Sequence, residues 1–329
     1  MNVYYYSIYK PFIKEFITLK RSLGYKYNNI EYAFTKFDQL VLAREELNIG
    51  LSKELCEQWC VRRLNESDKT WYNRIQIIRA FSFFLITLNY SSFLPVLPKI
   101  KNVYTPYIYT KEEVESLFIA CDNLETKSTC YNSMVLILPC LLRLLYGCGL
   151  RLGEALSLSC NDVNLQEQYV VVRNTKNGTD RLIPLSASLT AVISDYISHR
   201  KHFPLRRNTN LLFVHPNGDS CDSYKVYNWF RKILFQAGIP HKGKHQGPHL
   251  HHLRHTFGVH SLAKMAEDDI DLYYSLPILS TYLGHTSIAS TNAYVRLTSE
   301  MYPSILTKVN NISPFLFPEL YNHDNYENS

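Results

Sequence analysis

The sequence predicts a mainly α-helical protein with one small β-sheet, divided into two domains. Apolar residues recur at helical spacing along most of the chain. A stretch rich in Pro and Ser interrupts them near residue 100, and two short apolar runs flank an Asn-Gly pair further on. These patterns are typical of helices, a linker and a β-hairpin, respectively.

The first domain is expected at residues 1–95, as a bundle of about four helices. The blocks with helical periodicity are Phe12–Leu23, Ile30–Leu47, Ser52–Leu64 and Lys69–Leu88. Gly24 is suited to end the first block, and Ser52 is suited to cap the third.

A linker is expected at residues 96–108, because Pro95, Pro98 and Pro106 disfavour helix there. Lys99 and Lys101 make it basic, so it is either a nucleic-acid contact or a plain connector. Thr110 and Glu113 then form a capping box that starts a helix. We place the second domain at residues 109–300 and a tail at 301–329.

Composition favours a globular protein of the reducing cytoplasm. The chain is 46% hydrophobic and 19% charged, and its eight cysteines have no paired spacing. No signal peptide is evident, and the longest apolar run, Met134–Leu142, is too short to span a bilayer. The net charge of +6 is uneven, since residues 1–100 hold 14 Lys+Arg against 9 Asp+Glu. That excess of basic residues suits a surface that binds along a phosphate backbone.

The first segment that suggests chemistry is LLYGCGLRLGEAL. Gly147 and Gly149 end a long apolar helix, and Arg151 opens the next one with Glu154 in its first turn. A guanidinium at a helix N-terminus suits an anion. The alternative is a structural ion pair between Arg151 and Glu154.

The second segment is GPHLHHLRHTF, in which His251 and Arg254 would share a helix face. Such a turn offers a proton carrier and a planar fork for phosphate oxygens. Seven histidines lie between residues 241 and 260, and His255 is four residues after His251, so a zinc site is the alternative. We expect no metal, because no H-E-x-x-H or C-x-x-C motif is present and Arg254 would repel a cation.

The third segment, YLGHTSIASTNAYV, contains Gly284 at a helix end, His285, and Tyr294 nine residues later. One tyrosine among 25 is ordinarily a packing residue, and only the accompanying residues make Tyr294 a candidate nucleophile. A fourth segment, YVVVRNTKNGTDRLIP, predicts a hairpin that carries Lys176 beside Asn177-Gly178. A solvated turn lysine is the alternative there.

Taken in order, these segments resemble the Arg box, the H-x-x-R box, the L-G-H segment and the hairpin lysine of the tyrosine recombinase (phage integrase) family. The resemblance covers roughly the last two thirds of the chain. It implies a helical core-binding (SAM-like) domain followed by an α+β catalytic domain. Two departures are mild: Cys148 stands where threonine is frequent, and no glycine directly follows Lys176.

The resemblance also implies a mechanism for each residue. Arg151 and Arg254 would hold the scissile phosphate with His285, while His251 would take the proton of Tyr294. Tyr294 would form a 3′-phosphotyrosyl link, and Lys176 would protonate the departing 5′ oxygen. Glu154 would support the site, and neither a metal ion nor ATP would be required as a cofactor.

The implied partner is double-stranded DNA, held by four protomers acting as two pairs, with accessory DNA-bending or directionality proteins and no membrane. Backbone contacts are expected from basic residues of the first domain and linker: Lys10, Lys14, Lys20, Arg21, Lys26, Arg62, Arg63, Arg74, Arg79, Lys99 and Lys101. In the tail, Phe315–Phe317 would dock on a neighbouring protomer or on its own domain.

The function expected from these features is integration or recombination for a mobile element, in the cytoplasm and on the nucleoid when bound to DNA. One rival is a type IB topoisomerase, which would use the same residues without a partner site. The other is a catalytically silent DNA-binding regulator. The helical core-binding domain and the compact size argue for the recombinase over the topoisomerase, and the intact set of reacting groups argues against the regulator.

Overall fold

The computed structural model describes residues 4–25, 27, 30–100, 105–125, 133–173, 180–207, 209–241, 247–285, 291, 294, 295, 297 and 298. The chain divides into two compact units, residues 1–104 and 105–329. Helices predominate, with one small three-stranded sheet, so the predicted fold class is confirmed.

The first unit contains four described helices: α1 (Lys10–Ser22), α2 (Ile30–Ala43), α3 (Lys53–Cys60) and α4 (Asp68–Thr87). Ser52 caps α3 as predicted, because its side chain accepts the N–H of Leu55. Two helices end several residues earlier than predicted, α2 at Ala43 rather than Leu47 and α3 at Cys60 rather than Leu64. Glu45 turns to a left-handed φ of 53° after α2, and Val61 becomes extended after α3.

An aromatic cluster forms the core of the first unit. Phe81 of α4 is fully buried, and its ring centroid lies 5.1 Å from Phe34 and 5.5 Å from Phe16. These rings come from α4, α2 and α1, so burial of their apolar faces holds the three helices together.

The second unit contains seven described α-helices, a short 3-10 helix (Cys160–Asp162) and three strands: α5 (Lys111–Asp122), α6 (Leu138–Gly147), α7 (Leu152–Leu156), β1 (Val163–Asn164), β2 (Tyr169–Val172), β3 (Arg181–Pro184), α8 (Ala187–Arg200), α9 (Ser223–Gln236), α10 (His252–Glu267) and α11 (Leu272–Leu283). The predicted capping box is confirmed at α5, where Thr110 and Glu113 bond each other's backbone N–H groups. The strands are antiparallel in the order β1-β2-β3, with Val170 opposite Ile183.

Packing of α6 determines where the candidate site forms. This apolar helix packs against α5, α8 and α10, and α10 also packs against α11. The end of α11 and the turn after α6 both meet the first turn of α10, where Arg254 donates to the carbonyls of Leu283 and Gly149. The segments that carry Arg151 and His285 follow those two helix ends, so they arrive at the same place.

Several predictions fall outside the described residues. They are Lys26, Lys101, the hairpin turn with Lys176, and the tail beyond residue 300. Within the described part, seven cysteines are free. No helix of that part is long and apolar enough to cross a membrane.

Candidate active site

Arg151 is brought to the site by a tight turn after α6. Gly149 has a φ of +57°, and a Cβ there would lie 2.5 Å from Phe257 and 2.8 Å from Leu283. Only glycine allows so close an approach to α10 and α11. Arg151 follows as the N-cap of α7, and Nη2 lies 3.4 Å from the carbonyl of Gly284.

Glu154 is the anionic centre of the site. Its carboxylate accepts the N–H of Arg151 at 2.9 Å and Nη1 of Arg151 at 2.7 Å. Arg181, on β3, donates to both oxygens, at 3.2 and 2.8 Å. Burial alone would raise the pKa of Glu154, but the bonds from Arg181 and Arg151 lower it to about 2. The carboxylate is therefore ionised at neutral pH.

Arg254 is held inside the protein by two backbone carbonyls. Its Nη1 donates to Gly149 at 2.7 Å and its Nη2 to Leu283 at 2.6 Å, and only 2% of its surface is exposed. Burial, reinforced by Arg151, lowers its pKa to about 10, so it stays charged at neutral pH. A guanidinium has five N–H donors, so further donors remain beyond these two bonds.

Tyr294 is buried beside the arginines, with 2% of its surface exposed. Its hydroxyl lies 3.0 Å from Nδ1 of His255. The ring lies against Gly258, where a Cβ would be only 2.9 Å from Cε2. Burial raises the pKa of the phenol, whereas Arg254 and Arg151 act to lower it.

His285 follows Gly284, whose φ of +64° ends α11 as predicted. Nδ1 of His285 shares a hydrogen bond of 2.8 Å with the hydroxyl of Thr291. Burial, together with Arg254 and Arg151, lowers its pKa to about 4. The ring is thus neutral near pH 7. If Nδ1 accepts the Thr291 proton, Nε2 carries a proton and can donate to an anion.

His251 stands at the N-cap of α10, on the same turn as Arg254. It keeps an exposed surface, yet its surroundings desolvate the ring, and this together with Arg254 and Arg151 lowers its pKa. The ring of His251 lies edge-on to that of His255, with 4.9 Å between centroids. His251 therefore adjoins the histidine that contacts Tyr294.

The structure thus brings together five of the six predicted reacting residues, namely Arg151, His251, Arg254, His285 and Tyr294, together with Glu154. Lys176, the sixth, lies outside the described residues. Within the described part of the chain, no three His, Cys, Asp or Glu side chains converge as ligands of one metal ion.

Sequence reasoning missed two members of this cluster. His255 was considered only as a metal ligand, and Arg181 was not singled out. The arginine-histidine pair at 254–255 was a usable signal, because His255 lies one residue beyond Arg254 on the same helix. Arg181 gave no local signal, since its contact with Glu154 spans 27 residues.

Most of the basic residues predicted to contact DNA lie on the surface of the first unit. Lys10, Lys14, Arg21, Arg62, Arg63 and Lys99 are exposed, while Lys20 and Arg79 are half-buried. For Arg74, the structure contradicts the predicted DNA contact. Its side chain is 7% exposed and pairs with Glu66 at 2.7 Å, and it also donates to the carbonyls of Trp59 and Val61. A buried guanidinium with these partners supports the fold rather than a DNA contact.

Comparison with known proteins identifies relatives that match most of the chain. The model of the phage integrase family matches residues 108–301. A protein of Sinorhizobium fredii named "Putative integrase/recombinase y4rB" is 29% identical, over 92% of this chain and 97% of its own length. "Tyrosine recombinase XerA" of Pyrococcus horikoshii is 30% identical, over 68% of this chain and 66% of its own.

Solved structures share the fold. A post-cleavage complex of the XerH site-specific recombinase with its palindromic difH substrate gives a TM-score of 0.64 at 18% identity, over 85% of this chain and 78% of that one. A lambda integrase dimer bound to a core site gives a TM-score of 0.59 at 15% identity, over 86% of this chain and 94% of that one.

Proposed function

This chain belongs to the phage integrase family, and from that premise we propose that it is a site-specific DNA recombinase. It cuts and rejoins DNA strands through a covalent link between Tyr294 and a 3′ phosphate. The observation that carries the proposal is a buried tyrosine hydroxyl beside clustered guanidinium groups, with histidines on both sides.

The charge of the cluster suits a phosphodiester. Among the described residues, the guanidinium groups of Arg151, Arg181 and Arg254 surround the single carboxylate of Glu154, which leaves two positive charges. A phosphodiester carries about one negative charge, and its transition state for substitution carries about two. The cluster therefore matches the transition state better than the ground state, which is the requirement for catalysis.

Arg151 and Arg254 bind the non-bridging oxygens, because both are charged and Arg254 retains unused donors. His285 donates a further hydrogen bond from Nε2 when Thr291 fixes its other nitrogen. Glu154 supports the site by fixing Arg151. Preorganised donors of this kind stabilise charge as it develops on phosphorus.

The proton of Tyr294 leaves toward the histidine pair His255 and His251. His255 already contacts the hydroxyl, and His251 is the neighbouring ring. Lys176 then protonates the departing 5′ oxygen, as the family resemblance implies. The bond to phosphorus passes from the 5′ oxygen to Tyr294, so the phosphoester is conserved and ATP is not needed.

Double-stranded DNA is the proposed partner, since the XerH and lambda integrase structures contain DNA sites. Exchange between two duplexes requires four cleavages, so we propose four protomers acting as two pairs. Residues 1–95 are the proposed DNA clamp and 109–300 the catalytic domain. A mobile element is the proposed source of the sites, in line with the word integrase in the name of the Sinorhizobium fredii relative.

Nicked duplexes that tile the DNA on both sides of the encoding gene test the proposal. A nick beside the cleavage point lets a short fragment diffuse away and traps the covalent adduct, which a denaturing gel detects. We expect an adduct with the wild-type chain and none with Tyr294→Phe, although that variant still binds DNA. Tyr224→Phe is the matched control, because Tyr224 is 71% exposed on α9. An adduct with Tyr294→Phe, or none with the wild type on any duplex, contradicts the proposal.

A further inference from the structure

We propose that Arg181 is a positioning residue of this site: it saturates the carboxylate of Glu154 and so keeps Arg254 and Arg151 available for the phosphate. This inference deepens the proposed function and rests on it. It assigns a role to a buried arginine outside the set of reacting groups.

Arg181 reaches Glu154 from another part of the fold. It is the first residue of β3, opposite Val172 of β2, and its side chain is 9% exposed. Its two terminal nitrogens donate to the two oxygens of Glu154, at 3.2 and 2.8 Å. This bidentate geometry fixes a carboxylate in both position and orientation.

The same guanidinium also packs against the segment that carries His285. A Cβ on Gly284 would lie 3.0 Å from Nη1 of Arg181 and 3.4 Å from its Cζ. Since Gly284 has a φ of +64°, this position favours glycine for its backbone as well as for the space it leaves. Arg181 thus connects the hairpin strand, α7 and the end of α11.

The hydrogen-bonding capacity of Glu154 gives Arg181 its effect. An ionised carboxylate offers about four acceptor sites. Arg151 takes two of them, through its backbone N–H and Nη1, and Arg181 takes the other two. Nη1 of Arg254 lies 3.9 Å from the carboxylate, near it but beyond hydrogen-bond distance.

Without Arg181, two acceptor sites of Glu154 would be vacant in a buried place. The cations nearest to them are Arg254 and Arg151, and either would be drawn in. An N–H group of Arg254 or Arg151 that donates to Glu154 is no longer available to donate to a phosphate. Arg181 therefore protects the anion-binding capacity of its neighbours without touching the substrate itself.

One further observation sets Arg181 apart from an ordinary structural ion pair. Its Nε is buried, and no hydrogen-bond partner for it lies among the described residues. A buried donor left unpaired costs stability. Arg181 keeps both terminal nitrogens bonded to Glu154 although its buried Nε lacks a described partner. This arrangement fits a role in the site rather than in the stability of the fold.

Three variants of the full chain test the proposal. Arg181→Lys keeps the charge but loses the fork, and Arg181→Gln loses both. Arg173→Gln is the control, because Arg173 follows β2 in the same hairpin but is 56% exposed and pairs with Asp162. Single-turnover adduct formation, DNA affinity and the thermal midpoint are measured for each, on a nicked duplex that the wild type cleaves.

We expect both Arg181 variants to slow adduct formation between about tenfold and a hundredfold, with DNA affinity within about twofold of the wild type. Arg173→Gln should stay within about twofold on both measures. A rate loss in Arg181→Lys shows that the fork, not the charge, is required, provided its thermal midpoint is unchanged. Wild-type rates in Arg181→Gln would overturn the proposal.

Crystal structures of the free Arg181 variants separate this inference from the proposed function, because they require no cleavage. We expect the carboxylate of Glu154 to move into hydrogen-bond distance of Arg254, closing the gap of 3.9 Å. If the gap between Glu154 and Arg254 stays at 3.9 Å in both variants, Arg181 does not protect Arg254. If Glu154 moves but the wild-type chain forms no adduct, the positioning role stands and the recombinase proposal fails.

Discussion

The hydroxyl of Tyr294 lies 3.0 Å from Nδ1 of His255. Burial and the neighbouring His251 and His252 lower the pKa of His255 to about 3, so its ring is neutral. The phenol pKa is raised above its usual value of 10. Moving the proton to His255 in this state is therefore strongly unfavourable, because the base is weakened while the acid is not strengthened. His255 therefore holds the phenol here without ionising it.

Arrival of a phosphate changes this balance. Its negative charge offsets Arg254 and Arg151, two of the cations whose fields lower the pKa values of His251 and His285. The histidines become easier to protonate when DNA is bound. The same charge also offsets the arginine fields that favour a free phenolate, so we expect Tyr294 to lose its proton only as its oxygen bonds to phosphorus in the DNA complex.

The first prediction concerns His255→Ala. Losing the group that contacts the hydroxyl should slow single-turnover adduct formation on the order of a hundredfold, with DNA affinity nearly unchanged. His199→Ala, an exposed histidine on α8, is the control. If His255→Ala reacts at the wild-type rate while His251→Ala does not, the proton passes directly to His251.

The second prediction concerns Gly258→Ala. The new methyl group would lie 2.9 Å from Cε2 and 3.0 Å from Cδ2 of Tyr294, so the ring must move. We expect adduct formation to fall about tenfold or more, because a small misplacement of a reacting group is costly. Gly153→Ala is the matched control, since its Cβ would meet nothing within 4 Å. Equal adduct rates for both variants would show that the ring position is not critical.

Local sequence patterns predicted the parts of the fold that depend on contacts between residues close together in the sequence. The capping box of Thr110 and Glu113, the Ser52 cap and both hairpin strands stand where the patterns placed them. Helix ends were predicted less well. The left-handed turn at Glu45 could not be predicted, because neither glycine nor asparagine stands at that position.

The candidate site was predictable where a residue type and its spacing carry the chemistry, as at Arg151 and Arg254. Contacts between distant segments were not. Arg181 pairs with Glu154 only because the fold brings β3 close to α7. Arg74 is buried in the fold, where it pairs with Glu66. A basic residue alone does not reveal whether it will meet a carboxylate or a phosphate.

The third prediction concerns stability at mildly acid pH. His252 is 3% exposed, its Nδ1 accepts the N–H of His249 at 3.0 Å, and burial lowers its pKa to about 4. The unfolded chain, with a histidine pKa near 6.5, therefore binds the proton more readily. The stability that His252 contributes is complete above about pH 6.5 and is lost as the pH falls toward 4.

Denaturant unfolding at pH 7.5 and 5.5 measures this effect. His252 alone should reduce the free energy of unfolding by about 1 kcal/mol between these values, and His255 and His285 act in the same direction. The variant His252→Asn should show a smaller loss over the same interval. An identical pH dependence in the variant and the wild type would mean that His252 is not held neutral by the fold.

The fourth prediction is that cleavage does not require a divalent metal ion. Arg151 and Arg254 already supply the positive charge that a metal would bring to the phosphate, and Glu154 is fully occupied by Arg151 and Arg181. We expect adduct formation on a nicked duplex to proceed within about twofold of its normal rate in excess EDTA at constant ionic strength. Constant ionic strength matters because DNA affinity depends steeply on salt. Loss of the adduct in EDTA, with recovery on adding Mg²⁺, would show instead that the guanidinium cluster is insufficient and that a cation completes the site.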